Sequence, residues 1–258
     1  MGSAIGTKLG QHFLISARIL ERIAGAACPE GTRQVVEIGP GQGALTERLL
    51  AHAGNVTAIE MDSALAEHLR ERWPDGSGLS LFDGNALNYD WTLWGPGVLA
   101  GNLPYYIATA IISKYLAKPG TLTQAVFLIQ KEVAERITAK PGTRDFGYLS
   151  VECQYLAKAE YLFSVPPGAF RPPPKVDSAV IRLTPRPQAL SPENAGFLDF
   201  ASACFRQKRK TLRNNLSERY PKEQLDRLPA VSNRAEQLSV AELLALFHAL
   251  SVSSAASN

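Results

Sequence analysis

The sequence predicts an α/β protein: a doubly wound sheet of about seven strands, mostly parallel with an antiparallel edge, followed by a small all-helical C-terminal domain. Three observations predict it. Short β-branched runs alternate with helix-period segments over the first 130 residues. A glycine-rich turn joins the first strong strand to its helix, and the patterns become helical after a proline-dense stretch.

Gln34 to Gly39 reads as a buried strand, because its apolar run is short and β-branched. Ala44 to Leu50 follows as a helix. Asn55 to Glu60 is the second strand, with a helix from Leu65 to Arg72. Leu79–Phe82, Val98–Ala100 and Ala125–Ile129 continue the strands, and such alternation calls for parallel pairing through crossover helices. Ala159–Val165 and Ser178–Leu183 are separated only by the proline-dense stretch Pro166–Pro174, which predicts an antiparallel pair closing the sheet edge. Thr184–Pro192 reads as a linker, and the segments beyond Glu193, including Val240–Leu250, read as helices. The result is a Rossmann-like domain over residues 1–186 and a helical domain over 187–258, with a small polar tail from Ser251 that frays.

Composition excludes little. The 258 residues carry a net charge of +3 and are 45% hydrophobic, ordinary for a soluble protein and permissive of a nucleic-acid partner without demanding one. The three cysteines (Cys28, Cys153, Cys204) form no CxxC pair, and the four histidines lack metal-ligand spacing, so reduced thiols and no metal are expected. No apolar run approaches a membrane span, and the N-terminus lacks a signal-peptide layout. The expected setting is the cytoplasm, away from membranes.

Gly39-Pro-Gly-Gln-Gly43 lies between a strand and a helix, where glycines let the chain turn tightly and a ligand approach the backbone. By itself such a turn is weak evidence. Glu60 strengthens it, ending the second strand 21 residues beyond Gly39, where a doubly wound sheet places a carboxylate for ribose hydroxyls. A nicotinamide dinucleotide and S-adenosylmethionine both fit. The third glycine falls one residue earlier than a dinucleotide fingerprint places it, which leans toward S-adenosylmethionine.

Asn102-Leu-Pro-Tyr105 follows the fourth strand at the carboxyl edge, where ligands of such sheets bind. An exocyclic adenine amine is a poor nucleophile, because its lone pair is delocalised into the ring. Two hydrogen-bond acceptors can draw that nitrogen toward tetrahedral geometry. Asn102 supplies a side-chain oxygen and Leu103 a backbone carbonyl, while Pro104 stiffens the turn. Tyr105 offers a face for an unstacked base. This points to methylation of adenine, with catalysis mostly by positioning and electrostatics.

From Leu9 to about Leu216 the chain resembles the small-subunit type of ribosomal RNA adenine dimethyltransferases. The resemblance rests on Gly10-Gln-His-Phe-Leu14, Glu37-Ile-Gly-Pro-Gly41, Ile59-Glu60, Asn102-Leu-Pro-Tyr105, Gln130-Lys-Glu-Val133, Val165-Pro-Pro, and the run from Phe170 to Ser178. It implies dimethylation of two adjacent adenosines near the 3′ end of small-subunit rRNA during subunit assembly, by a monomer. S-adenosylmethionine would be held at His12, Leu14, Gly39, Gly41, Glu60, Asn85 and Asn102. Three positions depart from the family pattern. Asn85 stands where aspartate is usual, Tyr106 replaces a smaller or more polar residue, and His12 stands where asparagine is more frequent. None removes the catalytic group.

Arg206, Arg209, Lys210 and Arg213 are spaced to share one helix face, opposite Phe197, Phe200, Ala201, Cys204, Phe205 and Leu212. A solvated face is the ordinary account of such a run. The resemblance implies rRNA contact there instead. Arg171 and Lys175 are further candidates, equally explicable as exposed loop charges. Two other functions stay open: a large-subunit adenine methyltransferase of the erythromycin-resistance type, and a non-catalytic RNA-binding assembly factor. A nicotinamide-dependent oxidoreductase is more remote, since no proton donor sits beside a hydride site.

Overall fold

The structure, a computed structural model, describes residues 12–186 and 194–255. Gly10 and Gln11, most of the expected linker and residues 256–258 lie outside them. The chain forms two compact units: residues 1–134 with 158–185, and residues 135–157 with 186–258.

The first unit contains β1 (Phe13–Leu14), α1 (Ala17–Ala27), β2 (Gln34–Ile38), α2 (Ala44–Ala53), β3 (Asn55–Glu60), α3 (Ser63–Arg72), β4 (Leu79–Asp83), β5 (Gly97–Asn102), α4 (Ala108–Ala117) and β6 (Leu122–Gln130). The chain passes between the units through α5 (Lys131–Ile137) and α6 (Tyr148–Leu156), then re-enters the sheet with β7 (Ala157–Val165), β8 (Phe170–Arg171) and β9 (Ser178–Pro185). The seven-stranded sheet has the order β4-β3-β2-β5-β6-β9-β7. β4, β3, β2, β5 and β6 pair in parallel, and β9 runs antiparallel to β6. The fold class is the one the strand and helix periods predict.

The runs are nearly continuous in apolar residues because both sheet faces are covered. Val35, Val98, Ala100, Val126, Leu128 and Val180 pack with Leu20, Ile23 and Ala27 of α1 and Leu45 and Leu49 of α2. The alternate residues Val36, Leu99, Phe127 and Ile181, also buried, point to the opposite face. Strand order reverses direction between β2 and β5, which opens a crevice beyond their carboxyl ends. Gly101 permits this neighbourhood. A Cβ there would lie 2.5 Å from the Ile38 carbonyl oxygen.

The second unit is helical. Phe146 and Val151 join Phe197, Phe200, Cys204, Leu212, Leu225, Leu246 and Leu250 in one core. It holds α7 (Asn194–Cys204), α8 (Leu212–Leu216), α9 (Lys222–Asp226) and α10 (Val240–Ala255). The expected single boundary after residue 186 is thus accompanied by two earlier crossings, near residues 134 and 157. Helical periodicity tells which face of a segment is apolar, not which core that face enters. Of the expected frayed tail, Ser251 to Ala255 continue α10, and the remaining three residues lie outside the described ones.

Candidate active site

The glycine turn begins where β2 ends. Gly39, Gly41 and Gly43 all have left-handed φ, at 68°, 59° and 81°. The third glycine has a packing role: a Cβ on Gly43 would lie 2.5 Å from the Trp73 ring and 2.9 Å from Leu69. Its early position therefore reflects the seating of α2 beside the end of α3, while Gly39 and Gly41 face the crevice. Glu60, 4% exposed, braces the turn. Its carboxylate accepts the Gly41 N–H at 2.9 Å and the Asp62 N–H at 2.9 Å. Burial raises its pKa, opposed by the Asp62, Gly41 and Met61 amides.

Asn102 ends β5 with a defined orientation. Its Nδ2 donates to the His12 carbonyl at 3.1 Å, so Oδ1 is the edge left for a ligand. The following turn is closed by the Pro104 carbonyl, which accepts from the Ile107 and Ala108 N–H groups, each at 3.1 Å. The Leu103 carbonyl is not used by that turn. Tyr105 is fixed by a 3.0 Å hydrogen bond between its hydroxyl and the buried Ser178 hydroxyl, with its ring tilted against His12. The proline-dense loop has a structural task here. β8 pairs with β1 (Phe13 with Arg171, Leu14 with Phe170), and the His12 Nδ1–H donates to the Pro172 carbonyl at 2.8 Å. Together they hold the His12–Leu14 segment against the crevice.

Asn85 caps a short helical turn. Its Oδ1 accepts the Leu87 N–H at 2.9 Å. The Trp91 indole donates to the Ala86 carbonyl at 2.9 Å, and the Lys114 ammonium to the Leu87 carbonyl at 2.5 Å. Two side-chain donors, from Trp91 and Lys114, thus hold the turn that Asn85 caps.

One cavity of about 520 Å³ gathers these groups. His12, Leu14, Gly39, Gly41, Glu60, Asn85, Asn102, Leu103, Pro104 and Tyr105 all line it. Comparison with known proteins accords with this geometry. The family model for ribosomal RNA adenine dimethylase matches residues 2–251. The chain belongs to this family. It is 41% identical over 255 residues to ribosomal RNA small subunit methyltransferase A of Acidobacterium capsulatum, covering 94% of this chain and 90% of the relative. Against the protein of the same name from Xanthomonas euvesicatoria it is 43% identical over 244 residues, covering 92% and 93%. Among solved structures it resembles a dimethyladenosine transferase from Plasmodium falciparum (TM-score 0.80, 26% identity, 92% of this chain and 98% of that one). It also resembles the 23S rRNA methyltransferase ErmE (TM-score 0.71, 28% identity, 93% and 99%).

The residues present fit the family's cofactor, S-adenosylmethionine. A buried carboxylate, an amide-capped turn and a turn in which Gly39 and Gly41 put no side chain toward the cavity suit a nucleoside carrying an amino acid.

Glu37 lines the cavity too, and sequence reading gave it no role beyond the family motif. The only signal was an acid inside a buried strand next to the glycine turn. Burial pushes its carboxyl up to about 8, with Glu60 adding repulsion and the Thr46 hydroxyl, donating at 2.6 Å, opposing. The folded state therefore holds a proton that the unfolded chain releases near 4.5. Stability from this group is complete below that value and falls as pH rises toward about 8. Glu37→Gln stays neutral and still accepts from Thr46. It should melt with wild type near pH 4 and about 5–10 °C above it at alkaline pH. Parallel melting curves across pH would contradict a neutral Glu37.

The basic run departs from expectation. Arg206, Arg209 and Lys210 lie in the connection between α7 and α8 rather than on one helix face, and Arg213 is on α8. Asn215 explains the break. Its buried amide donates to the Cys204 carbonyl at 2.8 Å and the Gln207 carbonyl at 3.2 Å, and accepts the Gln207 N–H at 3.1 Å. It thereby ends α7 and shapes the connection. Arg206 pairs with Glu218 and Arg213 with Asp226. Arg209 and Lys210 are exposed, with no acidic partner among the described residues. The apolar side is as expected, with Phe197, Phe200, Ala201, Cys204 and Leu212 buried and Phe205 partly so. Asn215→Ala leaves buried groups unpaired and should destabilise the protein by about 2–4 kcal/mol, read by urea denaturation. A loss below about 0.5 kcal/mol would mean that the turn forms without the amide.

Proposed function

We propose that this chain transfers methyl groups from S-adenosylmethionine to the exocyclic N6 amine of two adjacent adenosines near the 3′ end of small-subunit rRNA, in ribosome biogenesis. The observation carrying this reading is Asn102, which lines the cavity beside Leu103 with its Nδ2 tied to the His12 carbonyl, leaving Oδ1 to accept from a ligand. When bound, S-adenosylmethionine supplies an electrophilic methyl carbon on a sulfonium. Glu60 would hold the ribose hydroxyls, and the Asn85 turn would hold the cofactor's base. Gly39 and Gly41 let the backbone approach it closely, while His12 and Leu14 cover it.

The target amine donates its two N–H groups to Asn102 Oδ1 and the Leu103 carbonyl. That grip localises the nitrogen lone pair and points it at the methyl carbon. Tyr105 presents its ring to the flipped base, held upright by Ser178. Transfer would break the sulfur–methyl bond, its electron pair going to sulfur, so that the cofactor would leave as the neutral thioether S-adenosylhomocysteine. The aminium nitrogen is acidic and gives its proton to water, so no strong base is needed.

Arg206, Arg209, Lys210 and Arg213 neutralise rRNA phosphates, with Arg209 and Lys210 foremost because no carboxylate among the described residues competes for them. The small-subunit substrate is supported by relatives of that name at about 40% identity. The enzyme acts as a cytoplasmic monomer without a metal, on assembling subunits. No helix among the described residues is long and apolar enough to cross a membrane.

The test is incubation with labelled S-adenosylmethionine and unmethylated small subunits, followed by mapping of methylated adenines. Label confined to two adjacent adenosines near the 3′ end is the expected result. Label entering naked large-subunit rRNA instead would give the substrate assignment to the resistance type. Cofactor binding without any transfer would leave an assembly factor.

A further inference from the structure

Tyr105 and Tyr106 are neighbours with opposite fates. Tyr105 is half-buried and tied to Ser178. Tyr106 lines the same cavity yet is 64% exposed. Ile15 (50%) and Met61 (44%) share that lining, so three of the five exposed large hydrophobic residues among those described stand at one cavity. Single exposed apolar side chains are ordinary, but a cluster around a ligand entrance marks a contact surface. Cations lie on the flanking loop. Arg171 pairs in register with Phe13 and follows Phe170, both of which line the cavity, and Lys175 follows in the same loop. Both are exposed and have no acidic partner among the described residues. An aromatic ring exposed at the cavity, with cations on a loop whose Phe170 lines the same cavity, is the chemistry of single-stranded nucleic acid, stacking for bases and charge for phosphates.

We propose that Tyr106 stacks on the nucleobase adjoining the target adenosine and is a specificity-determining residue for transfer. The proposal rests on the adenine-methylation reading above. A base turned into the cavity leaves its neighbours unstacked, and the strand continues through the mouth. There a ring with no hydrogen bond to the described residues can cover the exposed face of one of them. Tyr105 cannot serve both bases, because Ser178 holds it in the wall. Tyr106 touches no reacting atom, so its effect falls on capture and registration of the RNA rather than on the cofactor.

The experiment compares wild type, Tyr106→Ala and Tyr106→Phe on small subunits with intact rRNA. A second substrate set carries an abasic ribose on the 5′ or 3′ side of the target adenosine. On intact substrate Tyr106→Ala should lose about tenfold in kcat/KM, mainly through KM, and Tyr106→Phe should stay within about twofold. Affinity for S-adenosylhomocysteine should be equal in all three. On one of the two abasic substrates wild type should lose the same factor, while Tyr106→Ala loses nothing more. Losses that multiply on both abasic substrates, or an alanine variant as active as wild type, overturn the proposal. Absence of transfer by wild type to intact subunits would instead refute the underlying methylation reading.

Discussion

Asn102→Ala should lower methyl transfer by about a hundred- to a thousandfold, the usual consequence of removing one preorganised group aimed at the reacting centre. The substitution deletes Oδ1, one of the two acceptors that localise the amine lone pair. It also frees the His12 carbonyl, which the amide now holds. Asn102 is only half-buried at the end of its strand, so little core packing is lost. Affinity for S-adenosylhomocysteine should weaken by a few-fold at most, and the melting temperature should shift by about 3 °C or less. Single-turnover transfer to unmethylated small subunits measures the chemistry apart from product release. Turnover within about threefold of wild type would remove Asn102 from the proposed role.

Glu60→Ala should weaken cofactor affinity by about a hundredfold or more, since hydrogen bonds to a charged group contribute about 1.5–3 kcal/mol each. The carboxylate has two tasks. It offers acceptors to the ribose hydroxyls, and it fixes the Gly41 and Asp62 amides at 2.9 Å. Alanine removes both, leaving buried N–H groups unpaired, so some stability is lost as well. Glu60→Gln separates the tasks: it keeps one oxygen and replaces the other acceptor with a donor, and should fall between alanine and wild type. Calorimetric titration with S-adenosylhomocysteine checks this, with RNA affinity as the control. A loss of that size in cofactor affinity with RNA binding intact is the expected pattern. Unaltered cofactor affinity in the alanine variant would place the ribose elsewhere.

The α/β sheet was legible because strand and helix announce themselves locally. Asn55–Glu60 occupies the predicted strand, and the helix expected from Leu65 begins two residues sooner because Asp62 caps it through the Ala64 and Leu65 amides. The residues that gather at the cavity were legible for a related reason. They sit at strand ends and in tight turns, where residue type follows from backbone geometry and ligand chemistry. The basic run was misread because a period of 3.6 continues on paper across a helix end that a distant side chain, Asn215, imposes. The third glycine was read against ligand fingerprints although its spacing answers to Trp73.

The sequence by itself determined the order of strands and helices, the chemistry available at the carboxyl edge and the family to which the chain belongs. Each of these is written in nearest-neighbour spacing or in short motifs. Only the tertiary structure decided which core residues 135–157 enter, that Glu37 is buried with a raised pKa, and that the His12–Leu14 segment is clamped by the proline-dense loop. It also separated Tyr105, tied into the wall, from Tyr106, left in solvent. Those outcomes depend on contacts between residues far apart in the chain, whose desolvation and hydrogen-bond partners exist only once the fold has closed.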